Sequence, residues 1–229
     1  MMRKRWLLLA VLLAALAAGA ASARPQSSTR LTVFAAASLT EVFPLVDSRP
    51  RYDFAGSDQL AFQLQQGVVQ KPIPFATNTL VLIVPKPNPA RIHSMLDLTK
   101  PGVKIVIGDP SVPVGSYTRT VLTNLGISAA VLKNVVSQES DVKGVIGKVV
   151  LGQADAGLVY ATDVKPVLGK VGVIRIRESA QPHVVYEVAV VKRTQHLQAA
   201  NAFVTRLIRP QAQRDLVKYG FGPRPKPAR

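Results

Sequence analysis

A chain of 229 residues with no cysteine excludes thiolate nucleophiles, iron–sulfur clusters and cysteine zinc sites, and it is long enough to bury a core without disulfide staples. Its 29 Lys and Arg against 13 Asp and Glu give a formal net charge of +16, a surplus that suits anion steering, nucleic acid or a membrane surface alike. With 6% aromatic residues, and basic residues scattered apart from a short tail at Arg224, Lys226 and Arg229, no base-stacking platform stands out and the charge reads as a solvated surface.

In chain order, Arg3, Lys4 and Arg5 precede an apolar run from Leu7 to Ala20 and the triplet Ala21-Ser22-Ala23. That is the layout of a cleavable secretory signal, so residues 1–23 are expected to be removed on export. No later stretch reaches the roughly 20 apolar residues that a membrane span needs. Leu31 to Ala36 reads as a buried strand, followed by a helix over about Leu39 to Val46. Tyr52 to Phe54 forms a short strand leading into a helix with Leu60 and Leu64, closed by Gly67. Thr79 to Val84 is a β-branched apolar run ended by the breaker Pro85-Lys86-Pro87-Asn88-Pro89. Strand Val103 to Ile107 then leads to a helix from about Gly115 to Leu125. A helix from about Asp141 to Leu151 precedes strand Ala156 to Tyr160. Val171 to Ile176 and Val184 to Val191 are further strands, and helices over His196 to Ile208 and Gln211 to Tyr219 finish the chain. Strands alternating with helices predict an α/β fold, with sheets covered on both faces and ligands bound where strands give way to helices.

Four such junctions carry small hydroxyl residues or flexible backbone. Ser38-Leu39-Thr40-Glu41 fits a capping box. Ala55-Gly56-Ser57-Asp58, Val112-Pro113-Val114-Gly115 and Ser140-Asp141-Val142 each open a helix. Helix beginnings offer unpaired N–H groups and partial positive charge, so they receive anions without any lysine or arginine. Each junction alone is an ordinary cap; together they leave an α/β binding protein and an α/β enzyme both open.

For an enzyme, Ser140-Asp141-Val142-Lys143 fits Ser-x-x-Lys, but the Ser-Asp-Asn and Lys-Thr-Gly partners of that chemistry are absent. His93, His183 and His196 lie far apart, without metal-binding or nucleophile-elbow spacing. A hydrolase is therefore a weak alternative, as is a basic envelope protein, whose binding would fall steeply with salt.

Six segments together resemble the periplasmic molybdate-binding proteins of ABC importers: LTVFAAASLTEVFP from Leu31, FAGSDQLAFQLQQ from Phe54, GDPSVPVGSY from Gly108, DVKG from Asp141, GLVYATD from Gly157 and KYGFG from Lys218. The resemblance implies a two-lobe, type II periplasmic-binding fold, each lobe a mixed sheet flanked by helices. Residues 24–76 and 190–229 would form lobe 1 and residues 77–189 lobe 2, with crossovers at Thr77 to Val84 and Val184 to Val191. It also implies a monomer in the periplasm that is not an enzyme, needs no cofactor or bare metal ion, and binds no nucleic acid. Such a protein hands molybdate or tungstate to an inner-membrane permease. Carried over by motif, Ser38 and Ser57 would give hydroxyl and amide hydrogens, Val114 and Val142 main-chain N–H groups, and Tyr160 its phenol. Sulfate or phosphate remains an alternative guest.

The pattern breaks after Gly67. A further strand and helix are expected there, roughly 20–25 residues with their loops, but the chain runs straight into Val68-Val69-Gln70-Lys71-Pro72. Lobe 1 is therefore expected to be truncated, as in a degenerate copy with impaired binding.

Overall fold

Unbroken apolar runs become the innermost strands. The computed structural model describes residues 30–55 and 69–225. From Leu31 onward these residues belong to one contact unit. Strand β1 (Thr32–Ala36) runs into a 3-10 turn at Ala37–Leu39 and the single-turn helix α1 (Phe43–Val46), then β2 (Arg51–Ala55). After residue 68 come β3 (Ile73–Asn78), β4 (Leu80–Pro85), β5 (Ile105–Gly108), α2 (Pro113–Asn124), α3 (Ser128–Leu132), β6 (Val135–Glu139) and α4 (Val142–Val150). Strands β7 (Ala156–Tyr160), β8 (Val171–Arg175) and β9 (Val184–Val188) precede helices α5 (Leu197–Leu207) and α6 (Pro210–Tyr219).

Five strands form one mixed sheet in the order β6-β5-β7-β4-β8. Strands β6, β5 and β7 are parallel, joined through α2, α3 and α4, because parallel neighbours need a crossover rather than a hairpin. Strand β4 runs antiparallel to both β7 and β8. Every residue of β4, β5 and β7 is buried, as expected for strands covered on both faces. Around this sheet an aliphatic core extends from Leu80 to Val184.

The remaining strands form two ribbons, β1 parallel to β2 and β3 antiparallel to β9. They share a second, smaller core in which Leu39, Phe43, Phe75, Phe203, Leu207, Leu216 and Phe221 are buried. Buried Asp47 ties this core together, accepting from Arg206 Nε at 2.9 Å and Arg49 Nε at 2.8 Å. Those guanidinium groups, Arg49 foremost, hold its carboxyl below the usual range.

Several expectations need correction. The helix over Leu39 to Val46 is only the turn Phe43–Val46, in which Pro44 has no N–H to bond back to an earlier carbonyl. The run Thr79 to Val84 is strand β4 as expected, and the preceding β3 is separated from it at Thr79, whose N–H is taken by the Asn78 side chain at 2.9 Å. Strand β3 was hidden by Pro74, which sits at a register shift opposite β9. Strand β6 was hidden because its burial only alternates, at the edge of the sheet. The expected helix carrying Leu60 and Leu64 lies outside the described residues.

Candidate functional site

A cavity of about 530 Å³ is lined by residues of both cores, among them Leu39, Phe43 and Phe75 from the smaller and Val114, Val142 and Tyr160 from the larger. Four of the five expected site residues, Ser38, Val114, Val142 and Tyr160, line it together. Ser57 lies outside the described residues. Among the described residues no lysine or arginine lines the cavity.

Two helices begin at its wall. At α2, Pro113 has no N–H, and the N-cap residue Val112 offers no side-chain cap. The Val112 carbonyl accepts from Gly115 and Ser116, both at 3.0 Å, and the Val114 N–H, in the first turn, has no partner inside the helix. Two glycines allow the approach. A Cβ on Gly115 would collide with the carbonyl oxygens of Asp109 and Gly108, and one on Gly108 would press on Val114 and Gly115. At α4, Asp141 is the N-cap and accepts from Gly144 N at 2.9 Å. The N–H of Val142, the first helical residue, is thus left for something else. Both helix starts present positive dipole ends to the cavity wall.

Tyr160 ends the fully buried strand β7 and is 6% exposed. Burial pushes its phenol, and that of Tyr186, well above the ordinary value, so both keep their proton and can donate. The Ser38 Oγ does not close a capping box. It lies 2.9 Å from the Tyr186 hydroxyl, because the turn Ala37–Leu39 buries Ser38 and aims it at β9.

Glu41, the other half of the expected box, is bound by Lys143 Nζ at 3.0 and 3.2 Å. Lys143 also lies 3.6 Å from buried Asp163, whose oxygens accept no hydrogen bond. Burial lifts the Asp163 carboxyl to about 7 against the pull of Lys143. This arrangement leaves Ser140 and Lys143 no hydrolytic pairing, since the ammonium is engaged by carboxylates. His93 and His183 are exposed, and none of the three histidines lines the cavity. Among the described residues no cluster of three metal-ligating side chains occurs.

Sequence reasoning missed Tyr186 and Asn78. Asn78 Nδ2 donates to Thr162 Oγ1 at 2.9 Å and to the Tyr186 hydroxyl at 3.3 Å. The signal for Tyr186 was there: it is the one hydroxyl-bearing residue of a strand that also holds Val184, Val185, Glu187 and Val188, and a hydroxyl among such neighbours needs a partner.

The model of the bacterial extracellular solute-binding protein family matches residues 52–222. The molybdate-binding protein ModA of Mycobacterium tuberculosis is 37% identical over 227 aligned positions, covering 86% of this chain and 85% of its own. The ModA of Escherichia coli is 30% identical, covering 84% of this chain and 88% of its own. Among solved structures, a substrate-binding domain assigned to a molybdenum ABC transporter from Clostridium difficile superposes with a TM-score of 0.61 at 26% identity. That match covers 84% of this chain and 98% of the other. The periplasmic molybdate-binding protein of Azotobacter vinelandii reaches 0.71 at 17% identity, covering 84% and 98%, and shares the mixed α/β fold. Solute-binding proteins of this kind are not enzymes; the chain belongs to the ModA family of bacterial extracellular solute-binding proteins.

Proposed function

We propose that this chain captures molybdate or tungstate in the 530 Å³ cavity and delivers it to the permease of an ABC importer. The observation that carries the reading is that Ser38, Val114, Val142 and Tyr160 all line one cavity that no described lysine or arginine lines. A doubly charged tetrahedral anion can be held by neutral donors, since a hydrogen bond to a charged group is worth about 1.5–3 kcal/mol. A buried guanidinium would add its own desolvation cost. Ser38 and Tyr160 give hydroxyl hydrogens, the first turns of α2 and α4 give the N–H groups of Val114 and Val142, and Ser57 adds a fifth donor. No cofactor takes part.

The two cores are the two lobes, residues 24–76 with 190–229 and residues 77–189. Thr77 to Val84 and Val184 to Val191 serve as the crossovers about which they close on the guest. Residues 1–23 act as a leader that sends a monomer to the periplasm.

Lobe 1 is shortened. The M. tuberculosis relative aligns over 227 positions but takes up only 86% of this 229-residue chain, about 197 residues, which leaves about 30 positions without a counterpart here. The smaller core supports the same reading. Its ribbons β1–β2 and β3–β9 are separate, while Leu31 to Ala36 and Val184 to Val191 line the same cavity.

Titration calorimetry of the chain from Arg24 onward, against molybdate, tungstate, sulfate and phosphate, tests the function. Molybdate and tungstate should bind at least tenfold more tightly than the other two and raise the melting temperature. Preference for sulfate or phosphate, or no binding at all, would overturn the assignment.

A further inference from the structure

The hydroxyl of Ser38 can serve an anion only if its hydrogen points into the cavity. Ser38 Oγ and the Tyr186 hydroxyl are 2.9 Å apart, so one donates to the other. Which way the bond runs decides what Ser38 offers the guest. We infer that Tyr186 and Asn78 are positioning residues that fix Ser38 as a donor toward the oxyanion, an inference that rests on the oxyanion reading of this cavity.

The direction follows from Asn78. Its Oδ1 accepts from the Thr79 N–H at 2.9 Å, which settles which end of the amide is which. Its Nδ2 therefore carries both hydrogens, and these go to Thr162 Oγ1 at 2.9 Å and the Tyr186 hydroxyl at 3.3 Å. A phenol oxygen that is already accepting becomes a poorer acceptor for a second hydrogen and a better donor of its own. A phenol is also a stronger acid than an alkyl alcohol. Tyr186 thus gives its hydrogen to Ser38, and the Ser38 hydrogen is left for the cavity.

In the chain Thr79, Asn78, Tyr186, Ser38, Thr79 is exposed, Tyr186 is half-buried and the other two are buried. Asn78 and Ser38 are each 6% exposed. Tyr186 is wedged by ring contacts with Tyr160 at 6.2 Å, Phe75 at 6.1 Å and Phe221 at 5.4 Å. It also packs against both hydrophobic cores. Its ring and its hydroxyl are therefore held by separate sets of contacts, so Tyr186→Phe removes the polarity and keeps the packing.

Molybdate titration calorimetry of wild type, Ser38→Ala, Tyr186→Phe, Tyr160→Phe and two double variants tests the direction. Tyr186→Phe should weaken binding about tenfold with an unchanged melting temperature without ligand. Added to Ser38→Ala it should weaken binding no further, whereas added to Tyr160→Phe its factor should multiply in full. Asn78→Ala, which removes the donor instead of the phenol, should show the same pattern and serves if Tyr186→Phe does not fold. Unchanged affinity in Tyr186→Phe, or factors that multiply in the Ser38→Ala background, would overturn the positioning role, since Tyr186 would then be idle or touching the anion itself. A wild type that binds no molybdate takes the oxyanion reading down as well, so the two failures are distinguishable.

Discussion

The two cores are built from different material. Around the five-stranded sheet the buried residues are almost all aliphatic, with Tyr160 the one buried ring among those described. The smaller core is held by rings: Phe43 meets Tyr52, Phe75 and Phe203 with centroids 5.8–5.9 Å apart. An aliphatic sheet buries many small increments that back one another up across a continuous ladder. A core of a few large rings joining separate ribbons concentrates its stability in single side chains. The larger region should therefore outlast the smaller when the molecule opens locally.

Phe43→Ala is the harshest way to break that comparison. The side chain is 3% exposed, and truncating a buried phenylalanine costs about 3–5 kcal/mol. Denaturant unfolding should show that loss. Native-state hydrogen exchange should show β1, β2, β3 and β9 losing protection while β4 and β7 keep theirs. Equal loss in both regions would mean a single cooperative unit and would end the distinction.

The same contrast explains what the sequence could tell. For the inner elements of the larger region period and composition suffice, because Ala156 to Tyr160 reads as a buried strand and about Asp141 to Leu151 as a helix, and the structure has Ala156–Tyr160 and Val142–Val150; only the edge strand β6 escapes. In the smaller region local rules mislead. Ser38 and Glu41 have capping-box spacing, yet long-range partners, Tyr186 and Lys143, win both side chains. Strand β3 is held by its pairing with β9 and by the bridge from Thr77 to Gly222, both more than a hundred residues later in the chain, and no window around Pro74 contains that information. Of the cavity, the helix starts at Val114 and Val142 were legible as local junctions, whereas Asn78 acts through two partners far along the chain.

Asp163 probes the larger core from inside. It is 1% exposed, and burial raises its folded pKa to about 7, against about 3.9 in an unfolded chain. The folded state therefore holds this proton more tightly than the unfolded one. The carboxyl's favourable contribution is complete below about pH 4 and is lost as pH rises toward 7. Asp163→Asn cannot ionise, so it should raise the melting temperature by roughly 5 °C at pH 8 and leave it unchanged at pH 4. Stabilisation that is the same at both pH values would point to packing instead of charge, and a loss at pH 8 would mean that Lys143, 3.6 Å away, more than offsets the burial.

The gentlest test concerns the link between the regions. Glu41 lies beside Val42 and Phe43 of the smaller core, and Lys143 beside Val142 of the larger, so their 3.0 Å ion pair spans the two. Its side chains are 28% and 34% exposed, and a pair that water reaches in this way is worth about 0.2–1 kcal/mol. Glu41→Gln should therefore lower the melting temperature by only about 1–3 °C at low salt and by less at high salt. The Lys143 ammonium keeps Asp163 as a partner, which limits the loss further. A drop as large as that of Phe43→Ala would show that this contact, rather than the rings, keeps the smaller region folded.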